Sequence, residues 1–531
     1  MEASLMPSTE NEDETEEEPA SQDEKDATMN GMPLIMLTVG MMGIVFLMCL
    51  DHYILESTAA TAIPRITTDF NALQDAAWYS SGYFLTNMAL QPAFGQLYKL
   101  FSIKLIFLAC LLIFEAGSIL CALAPSSIAL ILGRIVTGIG GGGLYIGCVV
   151  LIGYVVPLKR RAAYISMVTS LDGAASVAGP LLGGVFTDSS LTWRFCFWIN
   201  LPIGFVAFVV LWWYLRDPPQ HTAVAGSVFQ RLLAVDWLSL TLLLGGFSML
   251  LLALQWAGIV YSWSDPHIYG MLVGASLALI LYFLYQAHQG DKAAIPYRIL
   301  RQRTVFFSAA FMLLMNMFIG ALVYYLPFQF QAVRGDSAKK SGVVNLAFLV
   351  PLLASPLVSG SAISLVGWYV PFMYLGSIVA TIGAGLLTTL SGATPQANLI
   401  AYQFLAGFGG GLCHQIPYTS ILHVLPASDM VPGSALCSFL NSLGSILGII
   451  VAQVIFASLL ARNLQGLVGV DAQTVIQAGP TNISNVVSGV IADKVRTAYN
   501  GALRDTYVLP VVAAGLCCFC AVGMEWKRIK N

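Results

Sequence analysis

Apolar residues run along this chain in blocks of roughly twenty, the length a helix needs to cross the hydrocarbon core of a bilayer. The first eight blocks fall at 34–56, 77–97, 104–123, 128–154, 163–187, 196–215, 236–257 and 267–287. Six more follow at 303–327, 341–361, 368–390, 397–422, 433–460 and 506–525, which makes fourteen predicted spans. A backbone surrounded by lipid must satisfy its own hydrogen bonds, so the pattern predicts an all-α integral membrane protein. An even number of spans places both termini on one side.

The polar residues between blocks orient them. With cytosolic termini, the inner segments hold 15 of the 25 Lys and Arg residues and the outer segments hold nine, the last being Arg134 within a span. Inner loops of membrane proteins are enriched in Lys and Arg, so this bias favours cytosolic ends. The sequon Asn482-Ile-Ser484 agrees, because it falls in the predicted outer loop 461–505, where Asn482 is a glycosylation candidate. Ahead of the first span, Glu10, Glu12, Asp13, Glu14, Glu16, Glu17, Glu18, Asp23, Glu24 and Asp26 crowd a stretch with no aromatic residue. Residues 1–33 therefore read as a disordered acidic cytosolic tail rather than a signal peptide.

Composition narrows the class. Only 10% of the 531 residues are charged and 57% are hydrophobic, against about a quarter charged in soluble domains. A net charge of −3 gives no reason to expect nucleic-acid binding. The ten cysteines sit within or at the ends of apolar runs with no metal-ligand spacing, so they read as small hydrophobic residues. Acylation of Cys517, Cys518 or Cys520 near the cytosolic face is the lesser alternative. The glycine run at 138–143 lies in a span with no preceding strand, and no Walker lysine occurs. Neither a nucleotide cofactor nor enzymatic activity is expected.

One stretch departs from ordinary helix chemistry. Gly173-Ala-Ala-Ser-Val-Ala-Gly179-Pro180-Leu-Leu-Gly183-Gly184 places four glycines and a proline inside a span. In water each glycine would cost about 1 kcal/mol and the proline about 3. Between membrane helices, small residues let backbones touch, so the stretch predicts a close-packed, deformable helix.

The chain also repeats itself. Leu123–Leu144 and Leu390–Leu412 share a glycine-rich pattern, and anchoring Gly138 on Gly407 gives an offset of 269. That offset sets Arg134 opposite Gln403, Asp172 opposite Asn441 and Gly179 opposite Gly448. Repeated halves are a transporter signature. They imply a six-helix bundle over 34–216, a linker with two inserted helices over 217–302, a second six-helix bundle over 303–525, and a short tail 526–531.

Ionisable groups at bilayer depth mark candidate chemistry, because each is costly there. Asp172 lies nine residues into its span and Glu115 eleven, about 13 and 16 Å deep at helical rise. Asp172 is the favoured candidate proton carrier, then Glu115 or Asp51; a carboxyl merely bonded to a neighbouring helix is the competing reading. Arg134 lies about 9 Å down from the outer start of its span and needs a carboxylate or carbonyls. Asp51, near the outer end of the first span, is the natural partner. His414, Gln415, Gln403 and Asn441 are candidates to line a central cavity.

These residues also carry a family resemblance. Gly173…Gly179-Pro180-Leu-Leu-Gly183-Gly184 resembles the fifth-span antiporter motif of the major facilitator superfamily. Trp193-Arg194-Phe-Cys-Phe-Trp-Ile-Asn200-Leu-Pro202-Ile-Gly204 is similar to the start of the sixth span in its fourteen-helix drug:proton antiporter branch. Arg134-Ile-Val-Thr-Gly138-Ile-Gly140-Gly141 resembles the fourth-span motif, and Tyr324–Gln331 and Gly407–Pro417 also fit. Two departures stand out. The loop after span two has Lys99 where the family motif has an acidic gate residue, and the first-span aspartate is shifted, with Leu55 at its aligned position and Asp51 one turn earlier.

The resemblance implies a monomeric multi-pass exporter of the plasma membrane, with the vacuolar membrane as alternative. It would exchange protons for a small amphipathic molecule, such as a toxin, secondary metabolite or drug, with Arg134 coupled to a carboxyl and the bilayer as surroundings. Vacuolar basic-amino-acid or siderophore transport is the alternative within the branch. A transporter-like nutrient sensor is the alternative of another class.

Overall fold

A computed structural model of the chain describes residues 31–56, 62–72, 75–189, 192–217, 227–257, 261–290, 293–465 and 490–529. The acidic tail through residue 30 and the sequon at Asn482 lie outside the described residues. Among the described residues the secondary structure is helical, with two isolated bridges and no strand.

The first half contains α1 (Met32–Glu56), the short α2 (Ala62–Phe70), α3 (Ala76–Leu100), α4 (Ile103–Ala122) and α5 (Ser127–Val155). It continues through α6 (Leu158–Thr169), α7 (Leu171–Asp188), α8 (Phe195–Trp198) and α9 (Asn200–Tyr214). A connecting region follows, comprising α10 (Val228–Leu233), α11 (Trp237–Trp256), α12 (Pro266–Gln289) and α13 (Tyr297–Arg301). The second half holds α14 (Arg303–Phe328), extended by a π-helical turn over Gln329–Val333, then α15 (Ala338–Val366) and α16 (Val370–Leu387). It closes with α17 (Gln396–His414), α18 (Ile416–Val424), α19 (Ala427–Leu464), α20 (Val490–Thr506) and α21 (Val508–Gly523).

Among the described residues, 11 helical segments are long and apolar enough to cross a membrane. Three predicted spans fall outside that set, each for a local reason. α3 is diluted by polar residues including Asn87, Gln91 and Gln96. The other two are each divided into shorter helices, at Ser170 and at Gln415, and also carry polar residues, Asp172 in α7 and Gln403 and His414 in α17. A count of fourteen is reached only by adding these three.

One predicted loop is partly helix. Residues 461–505 lacked the hydropathy of a span, yet α20 forms within them and buries Val495, Tyr499, Ala502 and Leu503. Those positions recur at helical spacing on one face, with Asp493, Arg496 and Arg504 elsewhere, as expected of an amphipathic helix on a protein surface.

The two halves pack alike. In the first, α1 packs on α7 and α9, and α5 packs on α3 and α4. In the second, α14 packs on α19 and α21, and α17 packs on α15 and α16. Glycines show the same duplication. A Cβ added at Gly138 would strike the Tyr83 carbonyl, and one at Gly142 the Asn87 carbonyl. At an offset of 269, Gly407 and Gly411 stand in the same way against the carbonyls of Phe348 and Leu352. Backbones approach this closely only where no side chain intervenes.

The halves meet along two seams, α3 against α19 and α6–α7 against α15. The helices α11 and α12 pair with each other, and α11 covers the first seam. There Phe247 stacks edge-on with Phe439 at 5.6 Å, within a cluster that includes Met88, Leu443 and Ile446.

Several contacts between the halves lie near the face where the first and last described residues stand, expected to be cytosolic and called inner below. Arg161 donates to the Leu422 carbonyl at 3.1 Å and to its own half's Val156 carbonyl at 3.1 Å. Tyr154 donates to the Ala427 carbonyl at 3.0 Å, and Gly95 abuts Ala435. Backbone carbonyls thus receive the closing bonds on the face where Lys99 replaces an acidic residue. Removing the donor in Arg161→Gln should loosen this closure. The check is maleimide labelling of Cys437, fully buried beside the seam, which should become faster from the inner side; unchanged labelling would count against a latch.

Candidate transport site

The sequence places the ionisable groups of Asp51, Glu115, Arg134 and Asp172 in the spans of the first half, and folding pairs two of them. Asp51 on α1 and Arg134 on α5 form an ion pair through Asp51 Oδ2 and Arg134 Nη1, each side chain 1% exposed. The rest of the guanidinium is also used. Its Nε donates to the Tyr79 carbonyl at 2.9 Å, and its face lies 4.6 Å from the Tyr83 ring centre. Asp51 Oδ1 accepts from the Asn200 amide at 3.3 Å, and the same amide nitrogen donates to Ser118 Oγ at 3.1 Å. One carboxylate therefore ties together α1, α4, α5 and α9. A buried charge is tolerated only with such a full set of partners.

Glu115 stands one helical turn before Ser118, with both carboxyl oxygens buried and without a hydrogen-bond partner. Its space comes from Gly204 on α9, where an added Cβ would collide with the carboxyl group. Gly204 entered the sequence reading only as part of a motif; its spacing of four after Asn200 puts both on the face that meets α4. Gly204→Ala should displace Glu115 and lower transport by about tenfold or more, in keeping with the cost of small misplacements at a working site. Transport equal to the parent would remove Glu115 from the mechanism.

Asp172 sits in the first turn of α7, where the helix dipole favours a carboxylate. Its carboxyl lies within hydrogen-bonding reach of Cys49 and Tyr53, both on α1. Gly179, two turns on, lies against the backbone of Tyr53 and Ile54, 2.9 Å from the Tyr53 carbonyl carbon as judged from a Cβ placed on it. Gly183 faces Ile54, and Gly173 faces Leu353 of α15 across the seam. Pro180 and Gly184 lie on the same helix. The glycines thus let α7 touch α1 closely enough for Asp172 to reach its partners. Gly179→Leu should lower transport by about tenfold or more while membrane insertion stays intact, because the added side chain pushes α7 off α1. Normal flux would separate this contact from function.

In the second half, His414, Gln415 and Asn441 come together, joined by Asn316. The direction of each bond can be deduced. Asn316 Nδ2 donates to the Met312 carbonyl at 2.8 Å, so its oxygen accepts from His414 Nε2 at 3.0 Å. His414 Nδ1 then accepts from Gln415 Nε2 at 3.0 Å, leaving Gln415 Oε1 buried and without a partner. Asn441 lies within hydrogen-bonding reach of His414 and Tyr418, and its amide reaches Tyr145 of the other half at 3.5 Å. The Tyr145 and Tyr418 rings are 6.3 Å apart. Gln91 adds another crossing, donating to Ser442 at 3.1 Å.

Gln403 is not part of this cluster. Its amide donates to the Leu399 carbonyl on its own helix at 3.0 Å. The repeat sets it opposite Arg134, but Gly320 rather than an acid stands at the offset from Asp51, so the second half has no matching ion pair.

Tyr145, Tyr418, Tyr53, Gln91 and Asn316 were not singled out from the sequence. One of them was reachable, since Tyr145 stands at the repeat offset of 269 from His414. That pairing puts Tyr145 with Asp172 on one side of the seam and His414 with Asn441 on the other.

Two packed helical halves, a polar seam at mid-depth and a buried ion pair define a polytopic membrane transporter fold. The chain belongs to the Major Facilitator Superfamily, whose family model matches residues 41–449. It is 40% identical to the MFS-type transporter ltbE of Aspergillus luteorubrus, over 98% of this chain and 94% of that protein. It is 38% identical to the MFS-type efflux pump MFS1 of Trichophyton rubrum, over 95% and 93%, and 37% identical to the efflux pump aflT of Aspergillus parasiticus, over 96% and 98%. Among solved structures, the proton:xylose symporter XylE aligns with a TM-score of 0.58 at 14% identity, over 93% of this chain and 98% of that one. The human organic anion transporter MFSD10 aligns at 0.55 and 13%, over 91% and 100%. At such identities the structural likeness speaks to the fold.

Proposed function

We propose that this chain is a proton-coupled exporter of a small amphipathic organic molecule, acting at the plasma membrane with cytosolic termini. Its efflux-pump relatives match along nearly the whole chain, which supports export. The observation that carries proton coupling is Asp172, a carboxyl within hydrogen-bonding reach of α1 and next to Gly173, which faces Leu353 of α15 across the seam. In this reading the six-helix bundles 34–216 and 303–525 rock about the seam, as in other transporters built from repeats. Proton binding at Asp172 removes its charge, weakens its acceptor contacts with Cys49 and Tyr53 and favours one arrangement of the halves; substrate favours the other. Asp51 and Arg134 hold α1 and α5 in register as this happens, and Glu115 serves as a second proton site beside them. The molecule works as a monomer, and no nucleotide or metal takes part.

The test is uptake of ethidium and of a neutral hydroxyflavone into inside-out vesicles with an acidic interior. The proposal expects accumulation of at least one probe that stops when a protonophore collapses the gradient. Accumulation that persists without the gradient, or that needs ATP, would overturn it.

A further inference from the structure

Among the described residues, the seam contains two buried acceptors without a hydrogen-bond partner. Gln91 Nε2 donates to Asn87 Oδ1 at 3.0 Å and to Ser442 Oγ at 3.1 Å. Asn87 spends its own nitrogen on the Tyr83 hydroxyl at 3.4 Å, which fixes its oxygen toward Gln91. The Gln91 amide is thereby oriented, and its Oε1 is left unpartnered on a side chain 1% exposed. On the opposite half, the chain from Asn316 through His414 leaves Gln415 Oε1 unpartnered in the same way, on a side chain 4% exposed. Asn441 and Ser442 lie between them, bonded to Tyr145 and Gln91 respectively. Buried carbonyl oxygens are rarely left unpaired in folded proteins, so each such case asks for a partner.

Among the described residues, unpartnered amide oxygens also occur at Asn200, Gln329, Gln331, Asn345 and Gln403. The nitrogens of Gln329, Gln331 and Gln403 bond to Asn500, Ser341 and Leu399 within the second half, and that of Asn200 to Asp51 and Ser118 within the first, so none of these bonds crosses between the halves. The Gln91 and Gln415 oxygens stand on the two sides of the seam.

Charge at this depth is one-sided. Apart from Lys104 and Arg303 at span ends, Arg134 is the single Lys or Arg within a predicted span, and it is engaged by Asp51, Tyr79 and Tyr83. Asp172 contributes a further acceptor. An anion would meet no counter-charge here, whereas a neutral hydroxyl or amide N–H would meet acceptors from both halves. The Tyr145 and Tyr418 rings supply apolar faces beside them.

We propose that the seam selects neutral amphipathic molecules carrying hydrogen-bond donors, hydroxyl or amide N–H, through the side-chain oxygens of Gln91 and Gln415. This rests on the seam being the transport site. A ligand with two donors bridges the halves, so occupancy and the relative position of the bundles are linked.

Binding to the full chain in detergent, with no pH gradient, separates this inference from proton coupling. The probes are a fluorescent hydroxyflavone, its methyl ether and a carboxylated flavone, at a pH where the phenol is neutral. The expected order is hydroxyflavone tightest, with the ether and the carboxylate at least about tenfold weaker, since a site built around a hydroxyl rejects analogues that lack it. Gln91→Met and Gln415→Met should each reduce that preference while leaving ether binding unchanged. Ser442→Ala removes the bond that crosses the seam but keeps the Gln91 oxygen, so it should retain the preference. An ether that binds the parent protein as tightly as the phenol overturns the inference, as does a preference that survives in the double Met variant. Loss of ether binding in the Met variants signals misfolding, and the parent protein and Ser442→Ala then decide the outcome. Selective binding without gradient-driven transport would contradict proton coupling alone.

Discussion

Arg134→Leu is expected to cost about 3–5 kcal/mol of stability and to abolish transport, because it leaves the Asp51 carboxylate buried without its counter-charge. Asp51→Asn should be nearly as damaging for the reverse reason, since the guanidinium is then buried without a counter-charge, beside neutral groups such as the Tyr79 carbonyl and the Tyr83 ring. The double variant Asp51→Asn/Arg134→Leu separates the two contributions. Removing both charges avoids the cost of an unpaired ion, so thermal stability should recover most of its loss. Transport should not recover, because the pair also sets how α1 meets α5 when the halves move. Arg134→Lys should be intermediate: it restores charge but cannot hold Asp51 and the Tyr79 carbonyl in one rigid fork. Unfolding temperatures read alongside efflux rates make the distinction. A double variant that transports at the parent rate would reduce the pair to a structural fastening.

Asp172→Asn should uncouple transport while leaving the fold in place. The amide matches the carboxyl in size and keeps an acceptor for Tyr53 and Cys49, so α7 stays against α1. It cannot exchange a proton. The expected loss is the acceleration that a pH gradient gives, of order 10–100-fold if the coupling has an ordinary allosteric magnitude. Downhill exchange of substrate without a gradient should continue, and the dependence of rate on pH should flatten. Gradient-driven uptake equal to the parent would move the proton site to Glu115, whose Glu115→Gln variant would then carry the uncoupled behaviour.

Much of this architecture was legible in the chain, and the reasons differ between elements. The spans were visible because lipid-depth helices must be apolar for a full crossing. The repeat was visible at 269 because glycines are required where helix backbones meet, and Gly138, Gly142, Gly407 and Gly411 face equivalent carbonyls. The Asp51–Arg134 pair was anticipated because two charges at similar depth have few other options. What escaped were the neutral polar partners. Tyr145, Tyr418 and Gln91 look like ordinary interfacial or packing residues until helix rotation is known, and rotation depends on contacts between distant segments. Gln403 shows the converse: a repeat offset names a position but not its neighbours. The amphipathic α20 escaped because hydropathy averaged over a window hides a helix with one polar face.

The most direct test of the account is simultaneous measurement of proton and substrate movement by the purified protein in proteoliposomes, with a pH-sensitive dye inside and a fluorescent hydroxyflavone outside. Adding the flavone to vesicles without a gradient should drive protons in the direction opposite to the flavone, and Asp172→Asn should abolish the proton signal while flavone exchange continues. Flavone movement in the parent protein with no accompanying proton flux would contradict the account.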